Sequence, residues 1–278
     1  MLLLAQAAFP GQVCAATVDH GLRKANAHEA SMVAALCGEL GVPHAILSVR
    51  VDPGNIQSNA RAARYDALDA WAAAHDVSAI ATAHHADDQA ETFLMRLNRG
   101  SGLAGLSGIR RDTVSPSGKT RVLRPLLDWR KAELERCVAD AGIEAAQDPS
   151  NADDRFDRAR MRKHLAEADW LDVEAIARSA SHLASAQDAF DALAKQQMET
   201  NVTRTGSRYV YRPTGPADVQ MLVMERLIAR FDGAARRSAV AELRGKLLAG
   251  QRGNLAGVLV TNVGGAWRFE AEPQRKSG

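Results

Sequence analysis

Short β-branched or apolar runs alternate with longer stretches of helical spacing from Val13 to about Ala141, the pattern of a parallel sheet flanked by helices. The apolar runs predict strands over Val13 to Val18, Ala45 to Val49, Val77 to Ala83 and Val122 to Leu126. Helical spacing predicts helices at about Asn26 to Leu40, Ser58 to Ala74, Asp87 to Leu97 and Trp129 to Ala141. Gly41 stops the first of these helices and Pro53-Gly54 marks a loop before the second. Beyond Trp170 the chain reads as mainly helical, with apolar spacing through Ile176 to Leu193 and Met221 to Leu227. It ends in two strands joined across Gly264-Gly265. The expectation is therefore two domains, 1–168 as an α/β unit and 169–278 as a smaller helical unit closing in a β-hairpin.

The opening Met1 to Phe9 is apolar without a preceding cation, and Phe9-Pro10-Gly11 interrupts it early, which disfavours a secretory signal. It reads as the end of an amphipathic helix. A helix with no strand before it is unusual for a doubly wound sheet, whose first strand is commonly central. Its removal leaves two neighbouring strands with unpaired backbone groups. The expectation is that the first strand lies upstream of Met1.

In open parallel sheets ligands bind beyond the carboxyl ends of the strands. At the end of the run from Val77 stands Thr82-Ala83-His84-His85-Ala86-Asp87-Asp88-Gln89-Ala90-Glu91-Thr92, with two imidazoles and three carboxylates where a strand hands over to a helix. Asp87 and Asp88 lie four and three residues before Glu91, so the acids project from nearly one helix face and repel. A metal ion, an ammonium group or a nearby arginine is expected to neutralise them. Acids at a helix N-terminus also serve the macrodipole, and capping alone accounts for one or two of them without requiring His84 and His85.

The second strand end carries Asp19-His20-Gly21-Leu22-Arg23, a set that suits a nucleotide or hydrated Mg²⁺ and is also an ordinary loop. Arg61, Arg64 and Tyr65 share one side of a helix, offering guanidinium forks to phosphate or base, or merely a solvated face. The glycine-spaced run Arg99-Gly100-Ser101-Gly102-Leu103-Ala104-Gly105-Leu106 suits close backbone approach or a simple connector. Arg155, Arg158, Arg160, Arg162 and Lys163 make the densest basic cluster, partly offset by Asp153, Asp154 and Asp157.

Composition narrows the class. The 278 residues are 46% hydrophobic and 24% charged with no apolar run long enough for a bilayer, so a membrane span is not expected. The net charge of +2 is too small to announce a nucleic-acid partner by itself, so clusters matter more than the sum. Cys14, Cys37 and Cys137 are too scattered for a disulfide framework or a zinc knuckle, which fits a reducing, cytoplasmic setting.

In this order the segments resemble the tRNA(Ile)-lysidine synthetase family, a branch of the N-type ATP pyrophosphatases. The resemblance runs from residue 1 to about 165. His84-His85-x-Asp87-Asp88-Gln89-x-Glu91-Thr92 belongs to the superfamily. The Arg99 to Leu106 run, Arg124-Pro125-Leu126-Leu127, and Asp148-Pro149-Ser150-Asn151 through Arg162 narrow it to this branch. The resemblance implies an adenine nucleotide α-hydrolase-like, Rossmann-like fold with its first strand missing. It also implies ATP and Mg²⁺ as cofactors, and a tRNA of the isoleucine CAU type and free lysine as partners. The reaction implied adenylates the C2 oxygen of the wobble cytidine and then places lysine on C2.

Carried over by motif, Asp88 and Glu91 serve lysine recognition and Mg²⁺ or general-base work, with Asp88 the metal ligand and His84, His85 and Asp87 shaping the same pocket. Asp19, His20 and Arg23 lie beside the nucleotide. Arg61, Arg64, Arg99, Arg155, Arg158, Arg160, Arg162 and Lys163 meet tRNA or phosphate. The family's Ser-Gly-Gly-x-Asp-Ser loop has no counterpart in this sequence, so poor ATP turnover by the 278-residue chain is expected. Ala159 stands where relatives often carry Asn. A tRNA thiolase, an RNA-binding remnant without catalysis, and a small-molecule ligase are the competing readings. The first is disfavoured by the lack of paired cysteines and the second by the intact acids at 87, 88 and 91.

Overall fold

The computed structural model describes residues 1–21, 24–145 and 157–273. Its contacts divide the chain into two compact units, Met1–Ala184 and Ser185–Gly278. The first unit runs α1 (Leu2–Ala8), β1 (Ala15–Asp19), α2 (Lys24–Glu39), β2 (His44–Ser48), α3 (Ile56–Ala74), β3 (Ala79–Ala81) and α4 (Ala86–Asn98). It continues through the short α5 (Leu103–Leu106), β4 (Asp112–Val114), β5 (Arg121–Leu123), α6 (Lys131–Asp140), α7 (Asp157–Glu167) and the beginning of α8 (Val173–Thr200).

The predicted alternation is present. β1 and β2 pair in parallel from Ala15↔His44 to Asp19↔Ser48, and β3 and β5 pair in parallel from Ala79↔Arg121 to Ala81↔Leu123. These are separate ladders, one of β1 and β2 and one in the order β3-β5-β4. Among the described residues, β1 and β3 each keep one edge without a strand partner. α3 packs on both ladders, its Leu68 and Ala72 meeting Ile80 and the apolar side chains of Ala16, Val18, Leu47 and Val77. β3 is shorter than predicted because the amide of Val77 still closes α3 on the Ala72 carbonyl at 2.9 Å.

β4 was not predicted. Asp112–Val114 is an antiparallel edge strand with a polar sequence, and it has no apolar alternation to betray it. Its turn is tied down from α3, where the buried Asp69 carboxylate accepts the hydroxyls of Ser115, at 2.8 Å, and of Ser117.

The first unit extends past residue 168 because the opening turns of α8 belong to it. Val173, Ile176 and Ala177 pack with Leu165 against Ala86 and Ala90 of α4. The predicted boundary at 168 and the contact division after Ala184 differ by this stretch.

The second unit holds the rest of α8, β6 (Val202–Thr205), β7 (Arg208–Tyr211), α9 (Ala217–Ala229), α10 (Arg237–Leu248), β8 (Gly253–Leu255), β9 (Val258–Val263) and β10 (Ala266–Ala271). The predicted closing hairpin is β9 and β10, joined across Gly264 and Gly265 with φ of 60° and 83°, values that glycine adopts without a Cβ penalty. It is the centre of a five-stranded antiparallel sheet ordered β6-β7-β10-β9-β8, so this unit carries more strand than the helical spacing suggested. One sheet face packs Tyr211, Trp267, Phe269, Val258 and Val260 onto Met224, Leu227, Ile228, Val240 and Leu247 of the helices. Each such side chain contributes roughly 1.5–3 kcal/mol on burial. Among the described residues no helix is long and apolar enough to cross a membrane.

Candidate active site

β3 leads through Thr82 and His84 into α4, which starts with a reciprocal cap. The ring of His85 accepts the Asp88 amide at 3.3 Å through Nδ1, and the Asp88 carboxylate accepts the His85 amide at 3.1 Å. Part of the motif is therefore structural, since these bonds satisfy two amides that the helix start leaves open. Asp87 is equally engaged. Its carboxylate accepts the Lys131 amide at the start of α6 at 2.7 Å and pairs with the Arg130 guanidinium at 3.2 Å. Burial pushes this carboxyl up, but the Lys131 amide and Arg130 outweigh it and hold it below the usual range.

Glu91 is the most enclosed of the acids, only 1% exposed. It lies against α7, accepting Nε of Arg158 at 2.7 Å and Nε of Arg162 at 2.8 Å. Arg158 also reaches Asp88 Oδ1 at 3.0 Å, so one guanidinium bridges two acids. Arginine, one of the three expected neutralisers, pairs with Asp87, Asp88 and Glu91 alike. Hydrogen bonding to Glu91 raises the affinity of Arg162 for its proton still further.

A second group of cations stands at the strand ends. Arg64 of α3 reaches Nε2 of His20, just past β1, at 3.2 Å. A guanidinium only donates, so Nε2 is the acceptor and Nδ1 carries the proton of the neutral ring. One turn earlier, Arg61 lies over the Tyr65 ring at 5.0 Å. His84 is held below its ordinary pKa first by burial; Asp88 opposes this, while the charges of Arg124, Arg158 and Arg61 reinforce it. Arg124 follows β5, is only 5% exposed, and donates to the Arg110 carbonyl at 2.7 Å.

Sequence reasoning missed the work of Gln89. Its side-chain amide pairs with the backbone of Ile109 in both directions, receiving the Ile109 amide at 2.6 Å and donating to its carbonyl at 3.1 Å. Arg96, two turns along the same face of α4, donates to the carbonyls of Gly105 and Gly108 at 2.7 and 3.0 Å. The glycine-spaced run is thus a connector fastened to α4, with Leu103–Leu106 forming α5. A glutamine inside the acidic motif was the available signal, because a buried side-chain amide needs partners of both kinds.

A family model described as a PP-loop domain covers residues 1–169. The tRNA(Ile)-lysidine synthase of Novosphingobium aromaticivorans is 42% identical over 281 residues, spanning 100% of this chain and 86% of that protein. The chain belongs to the tRNA(Ile)-lysidine synthase family. The tRNA(Ile)-lysidine synthase of Zymomonas mobilis is 37% identical over 99% of this chain and 85% of its own length. Among solved structures, the U34-tRNA thiolase NcsA of Methanococcus maripaludis superposes with a TM-score of 0.54 at 16% identity, covering 66% of each chain. That likeness concerns the fold alone.

In this member of the lysidine synthase family, the structure brings His84, His85, Asp87, Asp88, Glu91, Arg158 and Arg162 into one cluster. It joins His20 to Arg64. Asp19 ends β1 and spends one oxygen on the Gly21 amide at 2.9 Å. Arg99 and Arg160 both pair with Asp157 at the start of α7, at 3.0 and 2.5 Å, and Lys163 lies on the exposed side of that helix. Arg23, Arg155 and the Asp148 to Asn151 segment lie outside the described residues. Ala159 is buried, so the position where relatives often carry Asn faces the interior.

Arg158 and Arg162, expected to meet tRNA, are committed to Glu91 and Asp88. Among the described residues no three His, Cys, Asp or Glu side chains are grouped to hold a metal ion. Asp88, expected to bind Mg²⁺, has one oxygen on Arg158 and the other on the His85 amide, an arrangement that does not fit a metal ligand.

Proposed function

We propose that the chain ligates free lysine to C2 of the wobble cytidine of an isoleucine tRNA with a CAU anticodon, using ATP. The cytidine C2 oxygen attacks the α-phosphorus of ATP and pyrophosphate leaves. The neutral ε-amine of lysine then bonds to C2, the bond from C2 to the adenylyl oxygen breaks, and AMP departs. The observation that carries this reading is the His84 to Thr92 motif at the carboxyl end of β3, in a chain 42% identical along its whole length to a tRNA(Ile)-lysidine synthase.

The nucleotide lies at the carboxyl ends of β1 and β3, beside Asp19, His20 and Arg23. Asp88 receives the lysine ammonium, because Glu91 is closed off while the Asp88 side chain retains 16% exposure. The incoming ammonium takes the place of Arg158 on Asp88. His84, held neutral by burial and by the arginines around it, is placed to accept the proton that the amine loses before attack. Mg²⁺ comes with the nucleotide phosphates, and no step is assigned to it.

RNA contact falls to Arg99, Arg155, Arg160 and Lys163, and to the second unit. That unit carries 14 Lys and Arg against 9 Asp and Glu, a net +5, whereas the first carries 21 against 24, a net −3. An excess of cations there favours a polyanion. ATP, tRNA and free lysine meet in the cytoplasm, where we place the protein.

The test uses protein tagged at its C-terminus and purified from its host, which retains whatever N-terminus it naturally has. With unmodified tRNA, ATP and labelled lysine, label is expected in the wobble cytidine, with AMP and pyrophosphate formed in step. Pyrophosphate release that needs no tRNA would replace this reading with a small-molecule ligase. RNA binding with neither product nor label would leave only the binding role.

A further inference from the structure

We propose that Ser107 and Arg110 are positioning residues for tRNA: they clamp α8 to the helix of the acidic motif and so fix the line along which α8 leaves the first unit. This gives the glycine-spaced run a task beyond joining α4 to β4, and it rests on the tRNA reading above.

The first ground is how α8 is held. It is the element that runs from the first unit into the second. Its opening turns are held by packing: Val173, Ile176 and Ala177 meet Ala86 and Ala90 of α4, and Ala180, one turn on, is fully buried. Arg130, which pairs with Asp87 at the start of α4, also stands 3.9 Å from Glu174. The next turn is held by polar bonds instead. The Ser107 hydroxyl, only 1% of whose residue is exposed, lies between the carbonyls of Leu103 and Leu183, at 2.8 and 3.2 Å. Arg110 donates to the carbonyl of Ala184, the last residue of the first unit, at 3.0 Å. Inside a helix such carbonyls already serve an amide four residues on, and their second lone pair is open. The two donors therefore grip α8 without interrupting it.

The second ground is that the clamp is itself anchored. Gln89 pairs with the Ile109 backbone in both directions, Arg96 holds the carbonyls of Gly105 and Gly108, and Arg124 donates to the Arg110 carbonyl at 2.7 Å. Ser107 and Arg110 thus stand on a segment fastened to α4 and to the end of β5. Glycine permits the close approach: a Cβ on Gly105 would sit 2.6 Å from the Ser101 Cβ. A connector needs only to span a gap, whereas this one delivers donors to two successive carbonyls of α8. The use of such a grip follows from where RNA contact was assigned, to Arg99, Arg160 and Lys163 at α7 and to the second unit. Two linked sets of contacts bind one ligand the more tightly, the more closely the linker fixes their span. Holding α8 supplies that gain without touching RNA.

The experiment measures tRNA binding by filter retention over a range of salt, on the C-terminally tagged protein purified from its host. Wild type, Ser107→Ala, Arg110→Gln, Arg110→Lys and Asp69→Ala are compared. Ser107→Ala and Arg110→Gln are each expected to weaken tRNA about fivefold. The slope of log affinity against log salt stays at the wild-type value, because the same phosphates are contacted. KM for tRNA rises by the same factor, while KM for ATP and for lysine stays within about twofold. Arg110→Lys keeps a donor for the Ala184 carbonyl and is expected to recover most of the affinity. Asp69→Ala loosens the first unit at the β4 to β5 turn and is expected to bind tRNA as wild type does, which separates the clamp from a general loss of stability. Four results would overturn the clamp: wild type that does not retain tRNA, Ser107 and Arg110 variants that retain it normally, an equal loss in Asp69→Ala, or a salt slope that falls by about one in Arg110→Gln, the mark of a direct phosphate contact. Lysidine formation is scored separately. Wild-type tRNA binding without lysidine defeats the proposed reaction while the binding series still judges the clamp, whereas lysidine formation with variant-insensitive tRNA binding defeats only the clamp.

Discussion

Replacing Glu91 separates a residue that docks α7 from one that reads substrate. The carboxylate is 1% exposed and holds Arg158 and Arg162 at 2.7 and 2.8 Å. Hydrogen bonds to a charged partner contribute about 1.5–3 kcal/mol each. The two guanidiniums are 42% and 36% exposed, so part of that is regained when they turn to water. Gln keeps the shape and one carbonyl acceptor. Glu91→Gln is therefore expected to cost about 2 kcal/mol, which lowers the melting midpoint of a unit this size by about 4–8 °C. Glu91→Leu places two cations against an apolar wall and is expected to cost about 3–5 kcal/mol. Calorimetry and urea titration read both values. Combined with Arg162→Met, Glu91→Gln is expected to cost less than the sum of the two single changes, because they share one contact. A Glu91→Gln protein that melts with wild type yet makes no lysidine would refute the docking role and return Glu91 to the substrate.

Asp69→Ala removes the acceptor that holds the β4 to β5 turn and is expected to cost about 2–3 kcal/mol at neutral pH in urea titration. Burial raises the Asp69 carboxyl, but bonds from Ser117, Thr120 and Ser115 outweigh it and leave it below its ordinary value. Its contribution is present above the unfolded pKa and lost as pH falls through the lower folded value, so the gap between wild type and variant is expected to narrow in acid. His84, also lowered, stays neutral in the fold while the unfolded chain takes up a proton below 6.5. Wild type then loses stability as pH falls below that value, and His84→Gln is expected to show a shallower decline in melting midpoint from pH 7 to pH 5. Gly108→Ala puts a Cβ 2.5 Å from Gln89 Oε1 at a φ of +64°. The strain and the lost Gln89 to Ile109 pairing are expected to cost about 3 kcal/mol, with Gln89→Ala showing the smaller loss of that pairing alone.

The strands and helices that place the site were legible because each has its own period. Ala45 to Val49 and Val77 to Ala83 are apolar runs too short for helices, and the spacing of Leu68 and Ala72 marks the inner face of α3 that the structure buries. The rule that ligands meet strand carboxyl ends pointed to His20 and His84, and in the structure Arg64 and Asp19 stand by the first and Asp88, Arg124, Arg158 and Arg61 by the second. Polar strands were not legible. β4 and β6 are three and four residues long, with Asp, Thr and Arg outnumbering Val, and they pair through backbone groups that every residue carries. Gln89 was read as part of an acidic motif, although its partners at Ile109 lie 20 residues away.

What sequence spacing cannot assign is the partner of each charge, and here the partners decide the chemistry. Glu91 and Asp88 lie three residues apart and look equivalent, yet Arg158 and Arg162 approach from 67 and 71 residues downstream of Glu91. They close over Glu91 and leave Asp88 at the rim. A carboxylate with two short guanidinium contacts and almost no exposure gives up either partner only at the cost of stranding a charge out of water. Asp88 shares one arginine with Glu91 and keeps a solvent-facing side, which is why the proposed reaction gives it the ammonium: Arg158 would still be satisfied by Glu91. On the proposed reading the acidic pair divides its labour through burial: Glu91 anchors the helix that carries Arg158 and Arg162, and Asp88 takes the ammonium.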